Sequence, residues 1–274
     1  AVAGADNLAY FCEKVPCDFL VNLGDNTDGE TEQEETVIRS QHILNRLGET
    51  HIPYLQAIGN HDTNPYGSFD KLTMAQTYTA YLSSVRGVTS TDEEGHSNYY
   101  KDIDALGVRV VVLNANYGDK YRFSAGTATW LTNEALDTDK IVLLCLHLSP
   151  VNTQNWEARA LTNGTAVKNA IQAFVDGGGT VIQFCGHSHA DYHFITPWLT
   201  VFSGCQKMEQ TDVTAGGYLD ITGYEGSLYS APRAMQSVSE DLWTVGVLKP
   251  ASGELAMIRF GAGYNRFYHY IKTV

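Results

Sequence analysis

The sequence of 274 residues is 43% hydrophobic and carries 31 acidic against 18 basic residues, a formal net charge of −13. That balance repels polyanions and argues against broad non-specific binding of nucleic acid or an anionic membrane, while a local cation still admits a small phosphorylated substrate. No stretch of about 18 apolar residues exists, so no membrane span is expected.

In chain order, residues 5–14 read as a helix and "DFLVNL" (18–23) as a strand. Residues 31–47 place Val37, Ile38, His42, Ile43, Leu44 and Leu47 on one helical face. A strand is expected over 52–58, and a helix over 69–85 after a loop rich in turn formers. Residues 99–103 and 108–113 form a hairpin around a Leu-Gly turn, a helix covers 127–136, and a strand covers 141–146. The helix at 164–176 is stopped by three glycines and followed by a strand at 180–185. Beyond about residue 190 the texture turns to β, with "LWTVGVL" and "LAMIRF" joined by the turn "KPASGE", then "RFYHYIKTV". Strands alternating with helices, then a β-rich tail, imply an α/β sandwich with mixed sheets, and residues 1–274 read as one domain. The five cysteines have no C-x-x-C spacing and read as small hydrophobes rather than a disulfide framework.

Four polar clusters share one placement. Asp25, the trio Asn60, His61 and Asp62, His147, and the pair His187 and His189 each follow an apolar run directly. Three of these junctions carry a glycine, which lets the chain turn sharply. Ligands of α/β sheets bind beyond the carboxyl ends of the strands, so the four clusters converge although they are far apart in sequence. Imidazole, carboxylate and amide donors without thiolate suit catalytic Zn, Mn, Fe or Ni rather than a structural zinc site. A carboxylate can bridge two such ions, a common arrangement for phosphoester displacement.

The order GD, GNHD, H, GHxH, present as "LGDNTD", "IGNHD", "LHLSP" and "CGHSHAD", resembles the calcineurin-like metallophosphoesterase family. The tail "LAMIRFGAGYNRFYHY" is similar to the closing hairpin of bacterial members. The resemblance implies a four-layer αββα sandwich of two mixed sheets, with the β-rich part from about residue 190 in the same sandwich, and a dinuclear centre of two divalent ions. It makes Asp25 the bridging carboxylate, assigns Asn60, His147 and His187 to one metal, and gives His189 to the other. His61 would assist the leaving group while Asp62 orients its imidazole, and a metal-activated water would attack phosphorus. Asp28 is expected to be a loop or supporting residue.

The family opens with Asp-x-His at its first strand, and no such pair precedes Asp25. A further strand carrying it is therefore expected upstream, with the second metal poorly ligated by residues 1–274 alone. The only Asp-x-His, Asp191–His193, lies late and reads as structural, as do His42 and His269, while His51 sits at the wrong end of its strand. His96 and the tyrosine- and tryptophan-bearing loops around 63–98, 116–126 and 149–162 are expected to border the cleft and set substrate choice. Localisation stays open: the cytoplasm is slightly favoured, with export possible because the true N-terminus is expected to lie upstream. The competing readings are a metal-binding pseudoenzyme or scaffold with an incomplete site, and a metal-dependent amidohydrolase. The second lacks its eight-fold βα pattern, and a zinc protease lacks H-E-x-x-H.

Overall fold

The computed structural model describes residues 2–66, 71–83, 85, 88–92, 97–151, 160–188, 191–203, 237 and 241–270. Its centre is a seven-stranded mixed sheet in the order β3-β4-β5-β6-β7-β9-β8. These strands are β3 (Ser90–Thr91), β4 (Tyr99–Ile103), β5 (Val108–Leu113), β6 (Ile141–Leu146), β7 (Val181–Cys185), β8 (Tyr192–Phe194) and β9 (Leu199–Phe202). β5, β6, β7 and β9 run parallel, while β4 and β8 are antiparallel to their neighbours. All six residues of β5 are buried, as a central parallel strand covered on both faces requires.

The two-residue period of these strands sorts their side chains between two cores. Val111, Leu113, Val142, Leu144 and Leu146 face the outer core, where they meet Trp130 of α4 (Thr127–Trp130) and Val167 and Ile171 of α5 (Gly164–Asp176). Val108, Val110, Val112, Leu143 and Cys145 face the inner core. There they meet a parallel pair, β1 (Leu20–Asn22) and β2 (Tyr54–Gln56), and an antiparallel ladder, β10 (Leu242–Lys249), β11 (Glu254–Gly261) and β12 (Arg266–His269). The helices α1 (Val2–Lys14) and α2 (Gln33–Gly48) pack on each other beside this second layer, and Phe11 of α1 meets Trp243 of β10 edge-on at 4.9 Å. Helix, sheet, sheet, helix is the order of the layers.

The face of α2 departs from expectation. Its buried residues are Thr36, Ser40, Leu44 and Leu47, whereas Ile38 is 54% exposed and His42 lies in solvent. Two hydroxyls displace the apolar stripe because each has a buried partner: Thr36 donates to Asn64 Oδ1 at 3.0 Å and Ser40 to the Tyr81 hydroxyl at 2.8 Å. The helix expected over 69–85 is, where described, a short α3 (Met74–Thr77) running into a wide turn at Tyr78–Leu82, closed by Ser83 N–H to the Tyr78 carbonyl at 2.9 Å. Cys12, Cys17, Cys145 and Cys185 are free thiols, and Cys205 lies outside the described residues.

The β-rich tail joins the two layers through charge. Alternation on β11 puts Leu255, Met257 and Arg259 on one face, and Arg266 and Tyr268 of β12 lie beside them. Arg259 donates from Nη2 to Asp191, and Arg266 Nη2 stands 3.4 Å from the same oxygen. Arg259 and Asp191 are only 2% and 5% exposed, so removing the carboxylate leaves a buried guanidinium uncompensated. Asp191→Ala should therefore lower unfolding stability by about 3–5 kcal/mol, read as a shift in urea midpoint at constant slope. A change below about 0.5 kcal/mol, typical of a surface substitution, would show that the pair does not tie the layers together.

Candidate metal centre

Asp25 stands just beyond β1, and its backbone is in the left-handed region (φ 59°) after Gly24 (φ 95°). Gly24 and Gly59 leave no room for side chains: a Cβ on Gly24 would strike the Gly59 backbone, and one on Gly59 would strike Asp25. The ends of β1 and β2 are thus pressed together, and Asp62 locks them. Its carboxylate accepts N–H bonds from Asp25 (2.9 Å), Asn26 (2.8 Å) and Gly59 (2.8 Å), and from the Asn26 side chain at 3.3 Å. Burial, then the nearby Asp25 charge, push the Asp62 carboxyl up against the pull of these N–H groups.

Asp62 was expected to orient the His61 imidazole. Among the described residues its oxygens bond backbone and amide N–H groups, and none reaches the His61 ring. The imidazole is held instead by Asp28, whose backbone carbonyl accepts from Nδ1. The Asp28 carboxylate points outward to Arg39 at 3.7 Å. A side chain adjacent in sequence was expected to orient His61, and a carbonyl 33 residues away does so. The turn itself is pinned by Asn64 (φ 55°), whose N–H bonds the His61 carbonyl and whose amide donates to Thr31 O at 2.7 Å.

His147 follows β6 and is almost fully buried. Its Nδ1 donates to the carbonyl of Leu23 at 2.8 Å, which fixes the proton there and aims Nε2 into the site. Nε2 then faces Asp25 Oδ2 at 2.9 Å and Asn60 Oδ1 at 3.0 Å. The Asn60 amide is oriented by Nδ2 donating to the Tyr66 hydroxyl at 2.9 Å, so the oxygen, not the nitrogen, meets the ring. A lone pair aimed at two acceptor oxygens is repulsive unless a proton or a metal cation lies between them. His187, just past β7 with φ 65°, adds its ring 5.1 Å from that of His147. Ligand atoms of Asp25, His147 and His187 all lie within 4.8 Å of one another. This cluster fits a divalent ion by geometry and by its nitrogen and oxygen donors.

The arrangement brings together Asp25, Asn60, His147 and His187, with His61 at the rim. His189, His96 and Trp156 lie outside the described residues. His51 and His269 are exposed, and His193 stacks edge-on with Tyr268 at 4.9 Å. Two features add contacts that the residue pattern did not specify. A buried amide chain runs from Asp92 through Asn98 and Asn114 to Asn116, which donates to the Ile58 carbonyl at 3.0 Å and braces the end of β2. Tyr66 joins the site directly: besides meeting Asn60, its ring stands 4.5 Å from that of His61.

A model of the calcineurin-like phosphoesterase family matches residues 3–191, more than half of the chain. The chain belongs to that family. It is a metal-dependent phosphoester hydrolase, and its four clusters fall within the matched span. Among solved structures, a dimetal phosphatase from Danio rerio is similar at 12% identity and a TM-score of 0.64, covering 98% of this chain and 89% of its own. GAP50, the anchor in the inner membrane complex of Plasmodium, is similar at 11% identity and a TM-score of 0.54, covering 99% and 84%. At such identities the likeness is one of fold. Comparison with curated protein sequences gives no match. No helix among the described residues is long and apolar enough to cross a membrane.

The pairing of Asp25 with His147 has a pH signature in the metal-free protein. Burial disfavours both charged forms, yet the His147 imidazolium and the His61 N–H hold Asp25 down to about 2, and Asp25 raises His147 above its usual value. The Asp25 contribution to stability is therefore present above the unfolded value of about 3.9 and fades as pH falls toward about 2. The His147 contribution is full below about 6.5 and is lost as pH rises through its raised value. Chelated protein should unfold at higher urea at pH 5 than at pH 8, and His147→Gln should shrink that difference. An undiminished difference in the variant would place its origin elsewhere.

Proposed function

We propose that the enzyme hydrolyses a small phosphorylated substrate, a monoester or diester, with two divalent ions drawn from Mn, Fe, Zn or Ni. The observation that carries this reading is His147 Nε2, turned by the Leu23 carbonyl onto two acceptor oxygens with His187 alongside. Asp25 would bridge the ions, Asn60, His147 and His187 would hold one, and His189 would serve the other. When bound, such ions make water a nucleophile near neutral pH and offset charge on the phosphoryl oxygens.

The chain supplies the rest. Asp25 Oδ1 is held by the His61 N–H at 2.9 Å while Oδ2 faces His147, so the carboxylate is fixed before any ligand arrives. Asn60 is held by Tyr66 in the orientation that offers its oxygen. His61 keeps one proton on Nδ1 for the Asp28 carbonyl, leaving Nε2 as the atom from which an imidazolium would protonate a departing oxygen.

Hydrolysis of 4-nitrophenyl phosphate or its diester, abolished by chelation and restored by Mn, is the direct test. Asp25→Asn should reduce the rate by about 10²–10³ and lower metal content as well. Normal turnover by this variant would remove Asp25 from the centre. His61→Ala should lower kcat by about 10²–10⁴ while metal content stays close to wild type. The defect should shrink for esters with good leaving groups, whose oxygen needs little protonation. An equal defect for every leaving group, or loss of metal, would reassign His61.

A further inference from the structure

The rim above Asn60 carries a cation that the hydrolytic reading does not use. Lys120 places its ammonium 4.1 Å from the centre of the Tyr66 ring and 5.8 Å from that of Tyr121. Three other lysines pair with carboxylates: Lys71 with Asp119, Lys140 with Asp102 and Asp104, and Lys249 with Glu254. Among the described residues no carboxylate lies within ion-pair distance of the Lys120 ammonium. Lys14 also lies over a ring, 5.3 Å from that of Tyr10, but it is exposed, whereas Lys120 is half-buried and its rings border the candidate centre.

The rings beneath it lead into the centre. Tyr66 and Tyr121 share a hydroxyl contact at 3.2 Å, Tyr66 accepts from the Asn60 amide, and the Tyr121 ring stands 6.2 Å from that of His187. Tyr121 is turned to this position by a left-handed backbone (φ 64°) and by its N–H bonding Asn116 Oδ1 at 3.1 Å. Its loop is therefore anchored to the buried amide chain. Burial and the Tyr121 contact push the Tyr66 hydroxyl up, so it stays a neutral hydrogen-bonding group at working pH.

We infer that Lys120, seated on Tyr66 and Tyr121, is a specificity residue that recognises the extra negative charge of a phosphomonoester. This rests on the hydrolytic reading above. A monoester carries about −1.5 to −2 charge near pH 7 because its second pKa is about 6, whereas a diester has lost that ionisable oxygen and keeps one charge. The flexible four-carbon stem lets the ammonium leave the ring face and meet a phosphoryl oxygen on the Asn60 side of the centre. A charge-assisted hydrogen bond to a phosphoryl oxygen is stronger than a cation–π contact with a partly exposed ring. The anion therefore wins the lysine from the rings.

The test uses the metal-loaded full chain as wild type, Lys120→Met and Lys120→Arg, with inorganic phosphate as the probe in calorimetry. Lys120→Met should raise the phosphate Kd about tenfold or more, the effect of one charged hydrogen bond, and Lys120→Arg should restore part of it. With 4-nitrophenyl phosphate the loss should fall on KM more than on kcat, and it should be smaller for bis(4-nitrophenyl) phosphate. An unchanged phosphate Kd would overturn the inference, as would equal losses on the two esters or a variant whose only change is a lower Tm. If wild type hydrolyses neither ester, the hydrolytic reading fails, while the phosphate titration still decides the role of Lys120.

Discussion

Three backbone N–H groups converging on one buried carboxylate hold the mouth of this fold together. Asp25, Asn26 and Gly59 all donate to Asp62, which welds the loop after β1 to the loop after β2. The weld is possible only because two glycines let the backbones touch, and it carries an electrostatic cost because a second carboxylate, Asp25, stands beside it. Burial and that neighbouring charge outweigh the three N–H bonds in setting the Asp62 ionisation. A carboxylate satisfied by several N–H groups would ordinarily be strongly acidic. The site is thus assembled against its own electrostatics, and something positive must enter to balance it.

That balance is supplied by side chains delivered from the other sheet. His147 and His187 come from β6 and β7, Asp25 and Asn60 from β1 and β2, and they meet where both layers end. The inner core sets how closely they meet, since Val110, Val112 and Cys145 of the large sheet and Leu55 of β2 belong to the same buried cluster. A cavity there would shift the layers relative to each other, and hydrogen bonds of 2.8–3.0 Å around His147 tolerate little displacement. Packing far from the site therefore governs the geometry of the candidate metal centre.

Much of this was legible in the residues. The runs "VRVVVL" and "IVLLCL" are long, branched and unbroken, so β5 and β6 were read within their observed bounds. The convergence of Asp25, Asn60, His147 and His187 was legible because each is a metal-capable side chain directly after such a run. What escaped was polar burial. Thr36 and Ser40 displaced the expected face of α2 because their partners, Asn64 and Tyr81, are remote in sequence. Asp62 misled for a related reason: a carboxylate next to a histidine invites pairing, but three N–H groups of a tight turn satisfy its oxygens better. β9 went unread because four residues after a Thr-Pro-Trp turn give too short a period to register.

The same accounting explains why His147 is built as it is. With Nδ1 committed to the Leu23 carbonyl, Nε2 has three possible occupants: a lone pair, a proton or a metal ion. The lone pair is repelled by Asp25 and Asn60, so the metal-free site takes a proton, which is why the imidazolium is favoured despite burial. In the centre proposed above, a divalent ion on His147 would have to displace that proton, since only neutral imidazole ligates. Proton and metal therefore compete for one position between the same oxygens, and the carboxylate that raises the basicity of His147 also attracts the ion that replaces its proton. An aspartate at position 25 serves both states, whereas an amide would weaken both at once. In the proposed centre the same strand ends would hold the proton in one state and the metal in the other.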